Sequence, residues 1–266
     1  MALSPSVMGI VNVTPDSFFA ESRTLLTADA VARGRAHFDA GCDIVDVGGE
    51  STRPGATPVA ADEEIARVVP VIEQLCAYGP VSVDTQKESV ARAAIAAGAD
   101  VLNDVSSTLV DVAGELAVGY VAMHRQGNST TMQLKPTYDD VVAEIGEFLA
   151  GMAERARMAG VKSLWLDPGI GFGKTTEHNI SLLAHVSHFV DLASRYHAGV
   201  LIGTSRKRFL GDFRGDSLDA DQRLEGSIAT EAWALLQGVS MVRVHDATAA
   251  VQLRELLARP VEEVVA

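Results

Sequence analysis

Ala97-Gly98-Ala99-Asp100-Val101-Leu102-Asn103 is the stretch that decides how this chain folds. A glycine stands where a helix must end, because it takes the left-handed conformation without a steric penalty. An apolar, β-branched run follows at once and stops on a hydrogen-bonding side chain. The same joint recurs as Ala40-Gly41-Cys42-Asp43-Ile44-Val45-Asp46, and as Ala159-Gly160 shortly before Leu164-Trp165-Leu166-Asp167. Gly238 plays the same part before the last apolar run.

Working outward, strands are expected to begin near Val7, Asp43, Pro80, Asp100, Gly119, Ser163, Gly199 and Ser240. Most are nearly continuous in hydrophobicity, the pattern of a parallel sheet covered on both faces. Residues 60–78, 86–97, 138–159 and 224–237 carry apolar side chains at helical spacing, and Thr85-Gln86-Lys87-Glu88 has the order of a capping box. Eight β-α units in 266 residues leave roughly 33 residues each, the size of one repeat. The expectation is α/β, a single (β/α)8 TIM barrel domain over residues 1–266. An open doubly wound sheet expects fewer strands and a glycine-rich first turn. Here the first strand runs instead into Asn12-Val13-Thr14-Pro15-Asp16-Ser17-Phe18.

Lys and Arg total 22 against 35 Asp and Glu, a net charge of −13. That sign excludes a broad cationic footprint for nucleic acid or an anionic membrane. With 47% hydrophobic residues the chain has ample material for a core. Cys42 and Cys76 have neither metal nor disulfide-framework spacing. The first residues lack a basic region, and the apolar run Val7 to Val11 is too short for a signal core, so a soluble, cytoplasmic protein is expected.

In such a barrel the chemistry sits at the carboxyl ends of the strands. Those ends are Asn12, Asp46 with Glu50, Asp84, Asn103 with Asp104, His124, Asp167, Ser205 to Lys207, and Arg243 with His245. Each has an ordinary reading: Asp84, Thr85 and Asn103 as helix caps, Asp167 as a turn residue before Pro168, Lys207 or Arg243 as half of an ion pair. His124 reads first as a satisfied core histidine, and His37, His178, His185, His188 and His197 as surface residues. Capping does not explain why carboxylates, amides and cations converge on one mouth. Gly169-Ile170-Gly171-Phe172-Gly173-Lys174-Thr175 imitates a phosphate-binding loop, but Pro168 occupies the position of its first glycine. The loop is better read as close backbone approach to a flat ligand, with Phe172 as a wall.

Blocks spanning almost the whole chain resemble dihydropteroate synthases of folate biosynthesis, the sulfonamide targets. They are Met8 to Phe18, Asp43 to Pro54, Ser82 to Thr85, Asn103 to Ser106, Met123-His124 with Gln126-Gly127 and Thr131-Met132-Gln133, Asp167 to Lys174, Ser205 to Arg208, and Arg243 to Asp246. The resemblance implies a Mg²⁺-dependent transferase. It joins 7,8-dihydropterin-6-ylmethyl pyrophosphate to p-aminobenzoate, releasing pyrophosphate by a dissociative, SN1-like substitution.

Carried over by motif, the catalytic residues are Asp84, Lys207 and Arg243. The pterin contacts are Asp84, Asn103, Met123, Asp167, Phe172, Gly203, Lys207 and Arg243. Asn12, Arg53, Arg243 and His245 would meet pyrophosphate, with Asn12 also the metal ligand. Pro15, Phe18, Thr52, Arg53, Pro54, Phe172, Lys207 and Arg208 would form the p-aminobenzoate pocket. A homodimer through outer helices, including residues 224–237 with Trp233, is also implied.

The chain departs from the family pattern at Phe19 to Ser22, at Ser107 and at Arg208, where many members carry serine. A catalytically weak pterin-binding paralogue and a pterin-dependent methyltransferase domain are the alternatives. Arg53, Lys207, Arg243 and His245 together favour the synthase, since only it needs a pyrophosphate site.

Overall fold

The structure, a computed structural model, describes residues 5–14, 21–51, 56–127, 131–132, 134–212 and 218–258. Eight parallel strands close into a barrel in sequence order: β1 (Ser6–Asn12), β2 (Ile44–Gly48), β3 (Val81–Asp84), β4 (Val101–Asp104), β5 (Gly119–Met123), β6 (Ser163–Asp167), β7 (Gly199–Ile202) and β8 (Met241–Val244). The outer helices are α1 (Glu21–Asp39), α2 (Ala61–Leu75), α3 (Glu88–Ala96), α4 (Val110–Glu115), α5 (Val141–Ala159), α6 (Thr176–Ala184), α7 (Val186–Arg195), α8 (Leu224–Leu236) and α9 (Ala247–Ala258). The expected strand starts and the barrel are therefore observed. No helix among the described residues is long and apolar enough to cross a membrane.

Successive strand residues face opposite sides of a sheet, so each strand splits into two sets. Val7, Val11, Val45, Val47, Val81, Val83, Leu102, Tyr120, Leu166, Val200, Val242 and Val244 pack outward against the helices in one large cluster. The alternate residues Met8, Ile44, Val101, Val121, Leu201 and Met241, with Trp165, fill the barrel itself. Lateral pairings such as Met8 with Ile44, Val121 with Trp165 and Leu201 with Met241 keep this interior layer in register. It forms an apolar floor.

The helix ends follow the glycine logic. Gly160, with φ 75°, caps α5 in the left-handed region, and Asp140 caps its start by accepting from the amides of Val142 and Ala143 at 3.0 Å each. Two expectations fail. Thr85 does not open a capping box: α3 begins two residues later than that order implies, with Lys87 at its N-cap, and the Thr85 hydroxyl accepts from the Lys87 amide at 3.2 Å. His37 is not a surface residue. Gly9 leaves room for its ring, since a Cβ there would lie 2.7 Å from it, and Nε2 donates to the Ile10 carbonyl at 3.0 Å.

Candidate active site

Stepping two residues along each strand from the apolar floor reaches the next interior level. From Ile44 that residue is Asp46, from Val101 it is Asn103, from Val121 Met123, from Trp165 Asp167, from Leu201 Gly203 and from Met241 Arg243. Asp84 joins the same face because β3 pairs it with Asn103. One parity thus changes from apolar to polar at a single height. Site residues from seven strands meet there because strand periodicity leaves them no other place.

Arg243 is the hub. Its Nε donates to Asp46 Oδ2 at 2.6 Å and its Nη2 to Asp84 Oδ2 at 2.8 Å, while Asn103 Nδ2 donates to Asp46 Oδ2 at 2.9 Å. The second oxygens of Asp46 and Asp84 are buried with no hydrogen-bond partner among the described residues. Burial, opposed by Arg243 and reinforced by Asp46, Glu64 and Asp104, pushes the Asp84 carboxyl up to about 7. Burial works against the Arg243 charge, yet Asp46 and Asp84 outweigh it and hold the guanidinium above its ordinary value.

Asp46, which belongs to no expected contact set, is brought into the cluster by the structure, where it accepts from Asn103 and Arg243. Its parity with Ile44 was the available signal. Asp104 turns the other way: it accepts from the amides of Ser106 and Leu109 at 2.8 Å each and from the Tyr120 hydroxyl at 2.8 Å, so it shapes the turn after β4.

Across the mouth, Asp167 combines two roles. Its Oδ1 accepts from the Gly169 amide at 2.7 Å, which is turn chemistry, while Lys207, Lys174 and Arg243 oppose the rise that burial imposes on its carboxyl. Lys207 donates to the Ile170 carbonyl and lies 4.7 Å from the centre of the Phe172 ring. Removal from water brings its amine down to about 8, against the pull of Asp167. Gly203 lies beneath: a Cβ there would be 3.7 Å from Arg243 and 3.8 Å from Lys207 Nζ, ordinary contact distances.

His245 is seated by Ser205, whose hydroxyl lies 3.1 Å from its backbone nitrogen and 3.2 Å from Nδ1. Asn12 is at the rim, its Oδ1 close to Gly48, which pairs with Asp84. Arg208 is not brought to the cluster. It opens a short 3-10 turn, its side chain is 82% exposed, and its nearest carboxylate is Asp212 at 3.8 Å. Pro15, Phe18, Thr52, Arg53 and Pro54 lie outside the described residues.

The model of the family described as "Pterin binding enzyme" matches residues 8–245. The chain belongs to that family. Its curated relatives include the dihydropteroate synthase of Escherichia coli (strain K12), 42% identical over 250 residues that span 91% of this chain and 86% of the relative. Among solved structures, the Xanthomonas albilineans dihydropteroate synthase with 4-aminobenzoic acid superposes with a TM-score of 0.85 at 44% identity, covering 96% of this chain and 94% of that one. The Thermus thermophilus dihydropteroate synthase in complex with 6HMPPP gives 0.80 at 38% identity, covering 95% and 93%.

Proposed function

We propose that this chain is a dihydropteroate synthase, joining a dihydropterin-6-ylmethyl pyrophosphate to p-aminobenzoate. The observation that carries the reading is the ring of Asp46, Asp84, Asn103, Asp167, Lys207 and Arg243 at one height of the barrel mouth. A pterin offers adjacent donors on its 2-amino and N3–H edge and acceptors at O4 and N5. Asp167 accepts from the first edge, Asn103 serves mixed positions, and Lys207 donates to the second. Phe172 beside Lys207 walls the ring. Relatives named dihydropteroate synthases over nine-tenths of the chain do not favour the paralogue or methyltransferase alternatives.

In the reaction the C–O bond to pyrophosphate breaks, the leaving group keeps the electron pair, and the arylamine forms the new C–N bond and loses a proton. Lys207, Arg243 and His245 draw the anion, so a small anion is met locally within an acidic protein. Ionised Asp84 stabilises the cationic methylene beside the ring. No three His, Cys, Asp or Glu side chains among the described residues gather as a metal site. The rim amide of Asn12 is nevertheless a hard oxygen donor, suited to Mg²⁺ that keeps water and substrate phosphates as its other ligands. Bound there, Mg²⁺ would neutralise charge on the leaving pyrophosphate.

Pyrophosphate release that requires both substrates and Mg²⁺ tests the reading; no release at saturating substrates would overturn it. The carboxyl of Asp84 near 7 and the amine of Lys207 near 8 also fix a pH profile. Asp84 acts ionised, above its value, and Lys207 acts protonated, below its own. A bell-shaped kcat/KM is therefore expected, with limbs near 7 and 8. Asp84→Asn should remove the acid limb with most of the rate, and Lys207→Arg should move the basic limb out of range. A profile flat from pH 6 to 9 (the range scanned) would contradict both roles.

Assembly as a homodimer is part of the same proposal. Trp233 on α8 is 47% exposed although its indole donates to Leu183, and Leu236 on the same helix is 67% exposed, so a second copy would cover apolar surface. Sedimentation at several concentrations would detect it. A cytoplasmic location fits a free-thiol pair, Cys42 and Cys76, with no disulfide between them.

A further inference from the structure

The reaction assigns no part to Lys174, yet this lysine is only 3% exposed. It ends the loop that follows β6, one residue before α6 is capped by Thr175. Its three ammonium protons meet three acceptors: the Phe172 carbonyl at 3.0 Å, the His124 carbonyl at 3.3 Å and His124 Nδ1 at 3.1 Å. A buried ammonium satisfied on all sides is a built feature. The loop it closes is already pressed onto the end of β5. A Cβ on Gly169, whose φ is 69°, would fall 1.8 Å from the His124 carbonyl oxygen, and one on Gly173 would fall 2.4 Å from that of Gln126.

We propose that Lys174 is a positioning residue for the pterin-binding carboxylate: its ammonium ties the glycine loop to the end of β5 and sets a cation beside the Gly169 turn that Asp167 accepts from. This rests on reading Asp167 as the group that accepts the pterin N–H edge. An ionised carboxylate is acceptor-only, whereas the protonated acid presents a hydrogen to a ligand edge that is itself all donors. The charged groups facing Asp167 are Lys174 from its own loop, Lys207 from beyond β7 and Arg243 from β8; those facing Lys174 are Asp167, Lys207 and the His124 ring. Burial lowers the Lys174 amine to about 7, with Asp167 opposing, so the cation is present on the acid side of neutrality, the side towards which burial favours proton uptake by Asp167. At higher pH the amine loses its charge, while the tendency of the Asp167 carboxyl to take up a proton falls as well.

The sign of this arrangement gives the test. Affinity for 6-hydroxymethylpterin, which lacks pyrophosphate, would be measured by calorimetry at pH 6 and pH 8.5 for the full chain and for Lys174→Met and Lys174→Arg. Lys174→Met is expected to bind more weakly than the parent, and by a larger factor at pH 6 than at pH 8.5, because loss of the nearby cation raises further a carboxyl that must ionise. Lys174→Arg should recover part of the loss at pH 6. Equal losses at both pH values, or an unchanged affinity at pH 6, would overturn the proposal.

A measurement on the parent protein stands even if Lys174→Met does not fold. The ¹⁵N shifts of the His124 ring at pH 6.5 should show Nδ1 unprotonated and Nε2–H, because an ammonium can only donate to Nδ1. A proton on Nδ1 would mean that Lys174 is a neutral amine and would overturn the charge argument. Asp167→Asn separates the two readings: unchanged pterin affinity in that variant would defeat the role of Asp167 while leaving the Lys174–His124 signature in place.

Discussion

Asp167→Ala is expected to weaken pterin binding by about a hundredfold or more. Each hydrogen bond to a charged group contributes about 1.5–3 kcal/mol, and a pterin edge makes two of them to one carboxylate. Their sum of about 3 kcal/mol or more is about two decades in Kd. The structure sharpens how the experiment must be run. Asp167 also accepts from the Gly169 amide and is a carboxylate that acts on all three of Lys174, Lys207 and Arg243, beside Asp46 and Asp84 for the last. Alanine removes all of this at once, whereas Asp167→Asn can keep the turn acceptor while it removes the charge and turns the second acceptor into an N–H donor. Calorimetry with a pterin, beside circular dichroism for the fold, separates the effects. If both variants fold and bind pterin like the parent, Asp167 is a turn residue and no more.

The barrel was legible because its signal is local and repeated. Gly41, Gly98, Gly160 and Gly238 all take positive φ before a strand, and that requirement acts on each joint separately. The height of the site was legible too, since period-two alternation carries Val101 to Asn103 and Trp165 to Asp167 without knowledge of any partner. What could not be read was pairing. Arg243 and Asp46 stand 197 positions apart and become neighbours only when β8 closes on β1, so neither names the other in the chain. Asp46 was seen at a strand end and given no work for that reason.

Lys174 was visible only as the lysine of a false phosphate loop. Rejecting that motif at Pro168 agrees with a side chain turned inward onto His124, but nothing local foretold its three acceptors. His37 shows the opposite failure: a polar residue on a helix looks like a surface residue until Gly9, on a different element, supplies the space. The capping-box order at Thr85 failed because backbone geometry at the β3 exit starts α3 later, which no four-residue pattern records.

Arg243→Met is expected to cost stability as well as activity, and the cost should grow with pH. The guanidinium is the shared partner of Asp46, whose side chain is fully buried, and of Asp84, 11% exposed, on adjacent strands. Removing one partner of a buried ion pair costs about 3–5 kcal/mol, because the remaining charge loses its compensation without regaining water. Here two carboxylates would be left facing each other. The cheapest escape is for one to bind a proton, so the Asp84 carboxyl, already up to about 7 in the parent, would rise further. The folded variant then holds a proton that the unfolded chain, with an Asp near 3.9, has released. Parent and variant both lose stability as pH rises from about 4 to about 7, and beyond that only the variant goes on losing it, up to its raised value. Urea unfolding should therefore show a deficit against the parent that is larger at about pH 8 than at about pH 5, and Asp46→Asn in the same chain should restore part of it. An equal deficit at both pH values, or one below about 1 kcal/mol, would mean that the triad does not hold the mouth together. The same geometry limits how Arg243 meets an anion. With Nε and Nη2 committed to the two carboxylates, a pyrophosphate bound as proposed would meet only the remaining edge of the guanidinium, which makes fixing Asp46 and Asp84 the first task of Arg243 in that reading.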